Sequence, residues 1–460
     1  MPAQYFKKGA SLIEMIIALA LLSGVFVSTF GARWMVGDLS LNNARAASGI
    51  SLANSRLIAH LDGQNYESIT NSLGVTESLK TNPFTRCQYT AGSEAVWKNG
   101  WRSVSTTTSF VVMSDLSVAQ KYGMDCGGQP KHFLADQFEV AGDAISLGAQ
   151  VTSVDISNGH AFVSLRPPAG SVPVEPDFAI VALHDPYSTR FLTAGFGINK
   201  IDVANDYAFA AHHSSSSQLL IIDISEPDEA RVVASSTLPG VAGARPEAVS
   251  IFYFDSKIYV GTKRTAGHEF HVFDVSNPQL PVWLGSREVN HNINEIVVKD
   301  GFAFLATSGN IRDLIVLDVH DPSAIAQVSA VDLPGNEDGR SIYVAHDTIL
   351  LGRHKSIVPT HDELQILKYE IGGGNGLIEI TLGDSVETGA DVLGITYAGG
   401  YVFAATGNSQ KEIQIFKIDQ SGRLSLVGDK NLPANATSID FEDEIFAVTS
   451  GNELNILEQQ

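Results

Sequence analysis

The stretch LIVLDVHDP, residues 314–322, contains four consecutive apolar side chains, an aspartate and a turn that ends in proline. A short apolar run bounded by turn residues is typical of a β-strand that is buried on both faces. Related stretches occur six more times along the chain: FAIVALHDP at 178–186, LLIIDISEP at 219–227, FHVFDVSNP at 270–278, LQILKYEIG at 364–372, IQIFKIDQS at 413–421 and LNILEQQ at 454–460. Seven related copies indicate a repeat architecture.

A second apolar run precedes each copy and repeats with it: GHAFVSL, DYAFAAH, SKIYVGT, GFAFLAT, DTILLGR, GYVFAAT and DEIFAVT. The centres of these runs, 43 to 53 residues apart, are Phe162, Phe209, Tyr259, Phe304, Leu350, Phe403 and Phe446. A further strand comes before each run, as in VTSVDI, INKIDV and INEIVV. Four strands per copy, separated by proline and glycine, predict the blade of a β-propeller. We therefore expect a mostly-β protein with a seven-bladed β-propeller over residues 139–460.

The two ends of the repeated region predict how the ring closes. The seventh copy stops at LNILEQQ, after its third strand, and a spare strand lies in QFEVAGDAISLG, residues 137–148, before the first copy. If this segment pairs with the last blade, the ring closes without a free edge that could recruit another chain. The motif LIVLDVHDP also resembles the LVIVD repeat of bacterial surface propellers. That resemblance spans about residues 140–460 and implies the fold, not an activity.

The N-terminus, MPAQYFKKGASLIEMIIALALLSGVFVSTF at residues 1–30, has a different character. The apolar segment over residues 10–31 is long enough to cross a bilayer, and Lys7 and Lys8 favour a cytoplasmic N-terminus. The rest of the chain is then outside the membrane. Glu14 lies near the start of this apolar segment, where an unpaired carboxylate is costly and therefore indicates a partner or a function.

The stretch KKGASLIEM, residues 7–15, resembles the class III signal of type IV prepilins and pseudopilins. The resemblance covers residues 7–62 and implies a basic leader at 1–9, which a prepilin peptidase removes by cleavage between Gly9 and Ala10. It also implies methylation of the amine of Ala10, although the commoner residue at this place is phenylalanine. The resemblance further implies that, in an assembled filament, Glu14 pairs with the N-terminal amine of a neighbouring subunit. The alternative is an ordinary membrane anchor.

The region between the membrane segment and the propeller is predicted in two parts. Helical periodicity continues past residue 31, so we expect one long pilin-like α-helix over residues 10–62 with its first half in the membrane. Residues 63–138 are predicted to form a small α+β connecting module, with a hairpin in AVWKNGWRSV around Asn99–Gly100 and a strand in TTTSFVVMSD. Cys87 and Cys126 form a disulfide in this module or remain two separate thiols, and an extracytoplasmic location permits the disulfide.

Composition and motifs limit the possible chemistry. The chain has 51 acidic and 30 basic side chains, a formal net charge of −21, which disfavours nucleic acid as a partner. It contains no G-x-S-x-G, H-E-x-x-H, Walker or EF-hand pattern, and no cofactor or metal is predicted. Asp223, Asp274 and Asp318 recur before a turn, where they are expected to accept backbone N–H groups. A ring of metal-binding carboxylates is the alternative, but Lys368, Lys417 and Glu458 stand near the equivalent positions of later copies.

One group of residues suggests a ligand-binding face. In a four-stranded blade, the loops between the second and third strands lie on the same face as the connections between blades. Basic and imidazole side chains collect in these loops: Arg166, His212, His213, Lys263, Arg264, His268, Arg312, Arg353, His354, Lys355, His361 and Lys411. The face binds a negatively charged ligand, or it is a mixed solvated rim, since Glu175, Asp177, Glu269 and Asp362 lie among these residues.

Two functions are compatible with these features. The first is a non-enzymatic, pilin-like surface subunit that is anchored in the inner membrane before assembly and displays the propeller for adhesion or recognition. Its partners are the prepilin peptidase, other pilin or pseudopilin subunits and an extracellular ligand. A propeller on every subunit would crowd a helical filament, so a minor or tip position is expected. The alternative is an exported enzyme on a pilin-like anchor, which a cluster of carboxylates or histidines at the propeller axis would favour.

Overall fold

The structure, a computed structural model, describes residues 138–460 with short gaps, together with four strands between residues 69 and 113. The gaps within 138–460 are 169–174, 184–186, 215, 242–246, 310, 346, 359–360, 373–377, 399, 420, 443–444 and 460. The chain divides into two compact units, Met1–Gly127 and Gly128–Gln460.

Several predictions concern residues outside this description. They are the leader at 1–9, the helix at 10–62 with its membrane segment at 10–31, the residues Gly9, Ala10 and Glu14, and the pair Cys87 and Cys126. All of these remain predictions. Among the residues that the structure describes, no helix has the length and apolar character needed to cross a membrane.

In the first unit, the described residues form an antiparallel sheet of four strands in sequential order. The strands are β1 (Ile69–Thr70), β2 (Thr76–Thr85), β3 (Gln88–Asn99) and β4 (Arg102–Met113). The predicted hairpin is present, and its ladder ends at the pair Asn99–Arg102.

The second unit is a seven-bladed β-propeller, as the repeats predicted. Each blade is an antiparallel sheet in which the inner strand a is followed by b, c and the outer strand d. The inner strands of neighbouring blades contact one another around the whole ring, including those of the first and last blades. The loops between b and c and the links from d to the next a share one face, which we call the b–c face.

The strands follow the chain blade by blade. Blade 1 contains β7 (Gln150–Ser157), β8 (His160–Arg166), β9 (Phe178–Ala182) and β10 (Ser188–Leu192). Blade 2 contains β11 (Ile198–Ala204), β12 (Tyr207–His212), β13 (Leu219–Asp223) and β14 (Arg231–Ser236), with a 3-10 turn at Pro227–Glu229. Blade 3 contains β15 (Ala248–Phe254), β16 (Lys257–Thr262), β17 (Phe270–Asp274) and β18 (Val282–Arg287).

Blade 4 contains β19 (Asn292–Lys299), β20 (Phe302–Ser308), β21 (Leu314–Asp318) and β22 (Ala326–Val331), with a 3-10 turn at Pro322–Ala324. Blade 5 contains β23 (Gly339–Ala345), β24 (Thr348–Arg353), β25 (Leu364–Ile371) and β26 (Ile378–Val386). Blade 6 contains β27 (Val392–Ala398), β28 (Tyr401–Thr406), β29 (Ile413–Ile418) and β30 (Leu424–Lys430). Blade 7 contains β31 (Ala436–Glu442), β32 (Ile445–Ser450) and β33 (Glu453–Gln459).

The spare N-terminal segment supplies the outer strand of blade 7. Strands β5 (Phe138–Val140) and β6 (Ile145–Ser146) both pair with β33, in antiparallel orientation. The aromatic ring of Phe138 is buried, with its centroid 4.8 Å from that of Phe446. The predicted closure of the ring is therefore confirmed, and the first and last residues of the propeller share one sheet.

The turns between strands a and b follow from their sequences. Asn158 and Gly159 have φ angles of 52° and 71°, and Asp300 and Gly301 have φ angles of 51° and 78°. Positive φ at both central residues defines a type I′ turn, whose twist matches that of the flanking strands. Asn, Asp and Gly are the residues that adopt this conformation at least cost.

The core lies between neighbouring blades. The cluster between blades 4 and 5, for example, joins Phe304 and Leu314 to Ile349 and Leu367. Strands b and c are covered by a neighbouring blade on both faces, so nearly all of their residues are apolar and buried. Each large apolar side chain buried in this way stabilises the fold by roughly 1.5–3 kcal/mol.

The sequence repeats predicted that Phe446 of blade 7 is equivalent to Phe162 of blade 1, and this prediction is wrong by one residue. In blade 1, Phe162 of strand b pairs with Asp155 of strand a. In blade 7, the residue that pairs with the equivalent Asp440 is Ala447, and Phe446 pairs with Phe441. Phe446 is nevertheless buried, because Phe138 of the closing strand packs against it.

Candidate functional site

The recurring aspartates of the third strands stabilise turns, as predicted. Each accepts a hydrogen bond from the backbone N–H two residues further on: Asp223 from Ser225 at 3.2 Å, Asp274 from Ser276 at 2.8 Å and Asp318 from His320 at 3.0 Å. Hydrogen bonds from Ser225 also hold the pKa of Asp223 below its ordinary value. Within the described part of the chain, no three His, Cys, Asp or Glu side chains are placed to hold a metal ion.

A second recurring polar position lies directly before strand c, and sequence reasoning did not find it. Its side chains accept backbone N–H groups from the link to the next blade: Asp177 from Ala194 and Gly197, Gln218 from Leu238, Glu269 from Val289 and Asn290, Asp313 from Leu333, Glu363 from Thr388 and Gly389, and Glu412 from Leu432. The sequence feature that could have identified this position is an acid or a glutamine directly before each apolar c strand. These side chains are buried, and they connect two loops of the b–c face.

Two of the twelve candidate residues on this face are buried. Nε2 of His212 accepts the N–H of Phe196 at 3.1 Å, and Nδ1 donates to the carbonyl oxygen of Ser217 at 2.8 Å. Burial lowers the pKa of His212, so this ring is neutral and occupied by backbone groups. It therefore shapes the loop and is not available to a ligand.

Arg353 is the second buried candidate, with 1% of its surface exposed. Its guanidinium lies 3.4 Å from the carboxylate of Asp313 and 3.5 Å from that of Glu337. It also donates to the carbonyl oxygen of Pro334 at 3.0 Å. Arg353 thus attaches blade 5 to the link that precedes it, and its charge is compensated inside the protein.

Four other candidates, on blades 5 and 6, lie beside acceptors of their own. His354 is 2.9 Å from Asp391, His361 is 3.3 Å from Glu337, Lys411 is 3.1 Å from Asp429, and Lys355 donates to the carbonyl oxygen of Gly389. On blade 3, His268 lies 2.6 Å from the hydroxyl of Ser286. On blades 5 and 6, basic and acidic side chains therefore lie in pairs, as in the mixed solvated rim that the sequence left open as an alternative to a ligand-binding face.

The remaining candidates form a connected group on blades 1 to 3. Nη2 of Arg166 lies 3.3 Å from Nδ1 of His213, and the same imidazole nitrogen lies 3.2 Å from Oε2 of Glu247. Nζ of Lys263 is 2.6 Å from that oxygen. Burial opposes the ionisation of Glu247, but Lys263 and His213 outweigh it and hold its pKa below the ordinary value. One carboxylate therefore contacts two of these side chains, His213 and Lys263, and Arg166 is connected to it through His213.

The group continues onto blade 4. The backbone N–H of Arg264 donates to the side chain of Asn292 at 2.8 Å. Burial, followed by the charges of Arg312 and Arg264, lowers the pKa of the adjacent His291. We call the whole set the basic row: Arg166, His213, Lys263, Arg264, His291 and Arg312. His291 was not among the sequence candidates, because it lies in the link between blades and not in a b–c loop.

The axis of the propeller contains a carboxylate cluster that sequence reasoning did not identify. Asp155, Asp202 and Asp440 lie at equivalent positions of the a strands of blades 1, 2 and 7. Burial and the neighbouring charges of Asp440 and Asp202 raise the pKa of Asp155, and burial raises the pKa of Asp202 to about 6. Two residues before Asp202 in the same strand, Lys200 forms a 2.6 Å ion pair with Glu295, which lies two blades away.

Each axial aspartate also bonds the next blade. Asp440 accepts the N–H of Ile156 at 2.7 Å, Asp155 accepts that of Val203 at 2.6 Å, and Asp202 accepts that of Tyr253. The cluster therefore joins four consecutive a strands, including the two at the ends of the ring. The cluster therefore links strands and also contains two carboxyl groups with raised pKa values, Asp155 and Asp202, a feature expected of an acid–base site.

The comparisons with known proteins concern the propeller. The LVIVD repeat matches residues 199–234 and 292–332, which lie in blades 2 and 4. No curated protein matches the chain. A solved structure of a candidate 6-phosphogluconolactonase from Bacteroides fragilis is 13% identical over 64% of this chain and 87% of its own, with a TM-score of 0.50.

Two further solved structures have the same general likeness. A protein of unknown function from Desulfotomaculum acetoxidans is 14% identical over 59% of this chain and 85% of its own, with a TM-score of 0.45. The computationally designed protein Ika8 is 11% identical over 69% of this chain and its whole length, with a TM-score of 0.44. At these identities, the likeness to solved structures concerns the fold alone.

Proposed function

We propose that this protein is a non-enzymatic, pilin-like surface subunit whose propeller recognises a ligand through its b–c face. The basic row is the observation that carries this proposal. Its four permanent cations are Arg166, Lys263, Arg264 and Arg312, in a chain of formal net charge −21. Among the described residues, only Lys263 of these four forms an ion pair with a carboxylate, that of Glu247. A local reversal of charge on an acidic protein attracts a negatively charged partner.

The anchoring part of the proposal is based on the N-terminal sequence. The leader at 1–9, the cleavage site at Gly9–Ala10 and Glu14 resemble those of a prepilin signal, and residues 10–31 have the length and apolarity of a membrane span. The subunit is then an inner-membrane protein with a cytoplasmic N-terminus before assembly, and it reaches the cell surface or a filament afterwards. The size of the propeller favours a minor or tip position.

The contacts of the propeller favour binding over catalysis. The axial aspartates accept backbone N–H groups, and the acids of the b–c face connect loops. A catalytic carboxylate must instead be free to reach substrate. The solvated cations Lys263 and Arg264 are, by contrast, placed for contact with a partner outside the propeller.

The proposal is tested on the full chain in its own cells. We expect the mature protein to begin at Ala10 and its propeller to be reached by antibody on intact cells. The variant Gly9→Lys should keep the leader and lose this exposure, because the peptidase must accommodate a small residue at that site. A mature chain that still begins at Met1, or an exposed propeller in Gly9→Lys, overturns the pilin-like role.

An exported enzyme with its active site at the axis is the second candidate, and the axial cluster favours it. Asp155 and Asp202 have raised pKa values, and one carboxyl group of such a pair can hold a proton near neutral pH and act as an acid. The purified full chain is assayed against esters, lactones and glycosides. A turnover that Asp155→Asn and Asp202→Asn abolish, while both variants keep the wild-type fold, supports the enzyme over the recognition subunit.

A further inference from the structure

We propose that the basic row binds an extended acidic polypeptide segment that also carries apolar residues. This inference depends on the proposed function, since it names the class of ligand for the same face. Four features of the described residues support it: the continuity of the row, the shortage of carboxylates beside it, the apolar side chains exposed along it and its position across successive blades.

The row is continuous from blade 1 to blade 4. Arg166 contacts His213, His213 and Lys263 share Glu247, and Arg264 bonds Asn292 beside His291. Successive blades of a propeller are arranged around a common axis, so a row across four blades is elongated. An extended chain can contact an elongated row at several points, whereas a single small anion contacts one or two groups at a time.

The cations of the row have few carboxylates of their own. Glu247 is shared by Lys263 and His213. Within the described part of the chain, the guanidinium of Arg312 has one long contact, of 3.5 Å, with the amide oxygen of Gln327. Among the described residues, no carboxylate lies within ion-pair distance of Arg264. The buried acids close by, such as Glu269, are bonded to backbone N–H groups. Positive charge is therefore left for a partner at the surface.

Apolar side chains are exposed on the same face. Phe196, in the link between blades 1 and 2, is 57% exposed, and Ile311, next to Arg312, is 64% exposed. Large apolar side chains among basic ones are typical of protein-binding surfaces, whose energetic centres combine apolar anchors with arginine. An acidic polysaccharide or inorganic phosphate would use the cations and leave Phe196 and Ile311 without a role. The combination therefore favours a polypeptide.

The test uses the purified full chain in detergent and fluorescence anisotropy. The probe is a labelled twelve-residue peptide of alternating glutamate and leucine, and a twelve-residue polyglutamate is the comparison. We expect the Glu/Leu peptide to bind more tightly than polyglutamate, and the affinity of both to fall as salt is raised. The double variant Arg264→Glu/Arg312→Glu should weaken binding about tenfold or more.

Two variants provide the controls. Arg423→Glu makes the same kind of charge change at an exposed position in the turn between strands c and d of blade 6, on the opposite face, and should leave binding unchanged. Ile311→Ser should weaken the Glu/Leu peptide and leave polyglutamate unaffected. Equal losses in Arg423→Glu and in the double variant, or no loss in either, overturn the proposal.

Other outcomes separate this inference from the proposed function. Tighter binding of polygalacturonate than of the peptide overturns the polypeptide ligand and leaves the recognition face in place. Absence of peptide binding by a chain that is cleaved at Gly9 and exposed on cells overturns only this inference. A chain that is not processed overturns the pilin-like role, whatever the peptide result.

Discussion

Oδ2 of Asp440 accepts a hydrogen bond from the backbone N–H of Ile156 at 2.7 Å, across 284 residues of sequence. This bond joins the a strand of the last blade to that of the first. Thr437 and Ser438 reinforce the junction through hydrogen bonds to backbone groups of Val151 and Val154. The ring is therefore closed twice, at its axis by the a strands and at its outer edge by the N-terminal segment.

The bond between Asp440 and Ile156 gives the first prediction. Asp440→Ala should lower the free energy of unfolding by about 1–3 kcal/mol, because a partly buried N–H loses its acceptor. Asp440→Asn keeps an acceptor oxygen and replaces one of three neighbouring carboxyl groups by a neutral amide, so its cost should be smaller. Denaturant unfolding of the three proteins at pH 7 measures the difference. Equal losses for the two variants would mean that the charge, not the acceptor, matters at this junction.

The raised pKa values at the axis give the second prediction. The pKa of Asp202 is about 6 in the folded protein, against an ordinary value of 3.8. The unfolded chain therefore releases its proton at lower pH than the folded chain. This group destabilises the fold progressively as pH rises from about 4 to about 6, and its penalty is complete above that range.

The measurement is the melting temperature at pH 5 and pH 7.5. Asp155→Asn keeps an acceptor for the N–H of Val203 and removes a second carboxyl group, whose own pKa is raised by burial and by the charges of Asp440 and Asp202. The loss of stability between the two pH values should become smaller in this variant, by about 1–2 kcal/mol once solvent screening is considered. Wild type and variant with the same change in melting temperature would contradict the raised pKa values.

Much of the propeller could be predicted because its physics is local and repeated. The apolar runs of strands b and c are buried on both faces, so every blade leaves the same pattern in the sequence. The closing strand was predictable because an open edge is costly and only the segment 137–148 could cover it. The offset at Phe446 was not predictable, because it depends on the pairing of Phe441 with one particular residue of strand b.

The axial cluster escaped sequence reasoning for a geometric reason. Asp155 and Asp202 are 47 residues apart and Asp440 is 238 residues further on, and each lies in a strand that also carries apolar residues. Only the closed ring brings these three together. The basic row was partly predictable, because most of its members lie in b–c loops. Sequence could not show that His212 and Arg353 are buried, since some of their partners, such as Phe196 and Pro334, come from links between blades.

The side chains before each c strand give the third prediction. Glu412 accepts the N–H of Leu432 at 2.8 Å, and blade 2 has Gln218 at the equivalent position with the same kind of bond to Leu238. Glu412→Gln should therefore be nearly neutral, whereas Glu412→Ala should cost about 1–3 kcal/mol by leaving a buried N–H unsatisfied. Thermal unfolding of both variants measures this. A large loss in the glutamine variant would show that the position requires a charge.

The resemblance of the N-terminus to a prepilin signal gives the fourth prediction. Glu14→Leu should still insert into the membrane, because the substitution makes the segment more apolar. It should fail to join assemblies, because the N-terminal amine of a neighbouring subunit loses its partner. Cross-linking and co-purification with other pilin subunits are compared for the wild type and the variant. Normal co-purification of Glu14→Leu would count against the pairing role.

The closing strand gives the last prediction. Phe138 is fully buried at the edge of blade 7, where its ring packs edge to face on Phe446 and lies 6.1 Å from Phe403. Phe138→Ala should cost about 3–5 kcal/mol, since it leaves a cavity where the closing strand meets the blade. Phe191→Ala, at a 39% exposed position of the outer strand of blade 1, is the control and should cost much less.

Shortening the chain tests the same closure without a cavity. A chain that begins at Lys131 keeps β5 and β6, whereas a chain that begins at Gln150 lacks both and exposes the edge of β33. The shorter chain should melt at a lower temperature and aggregate, because Leu454 and Leu457 lose part of their cover and the free edge can pair with another copy. Light scattering and thermal unfolding compare the two chains. Equal melting temperatures and equal solubility would show that blade 7 is stable with three strands and that the N-terminal segment only rests on it.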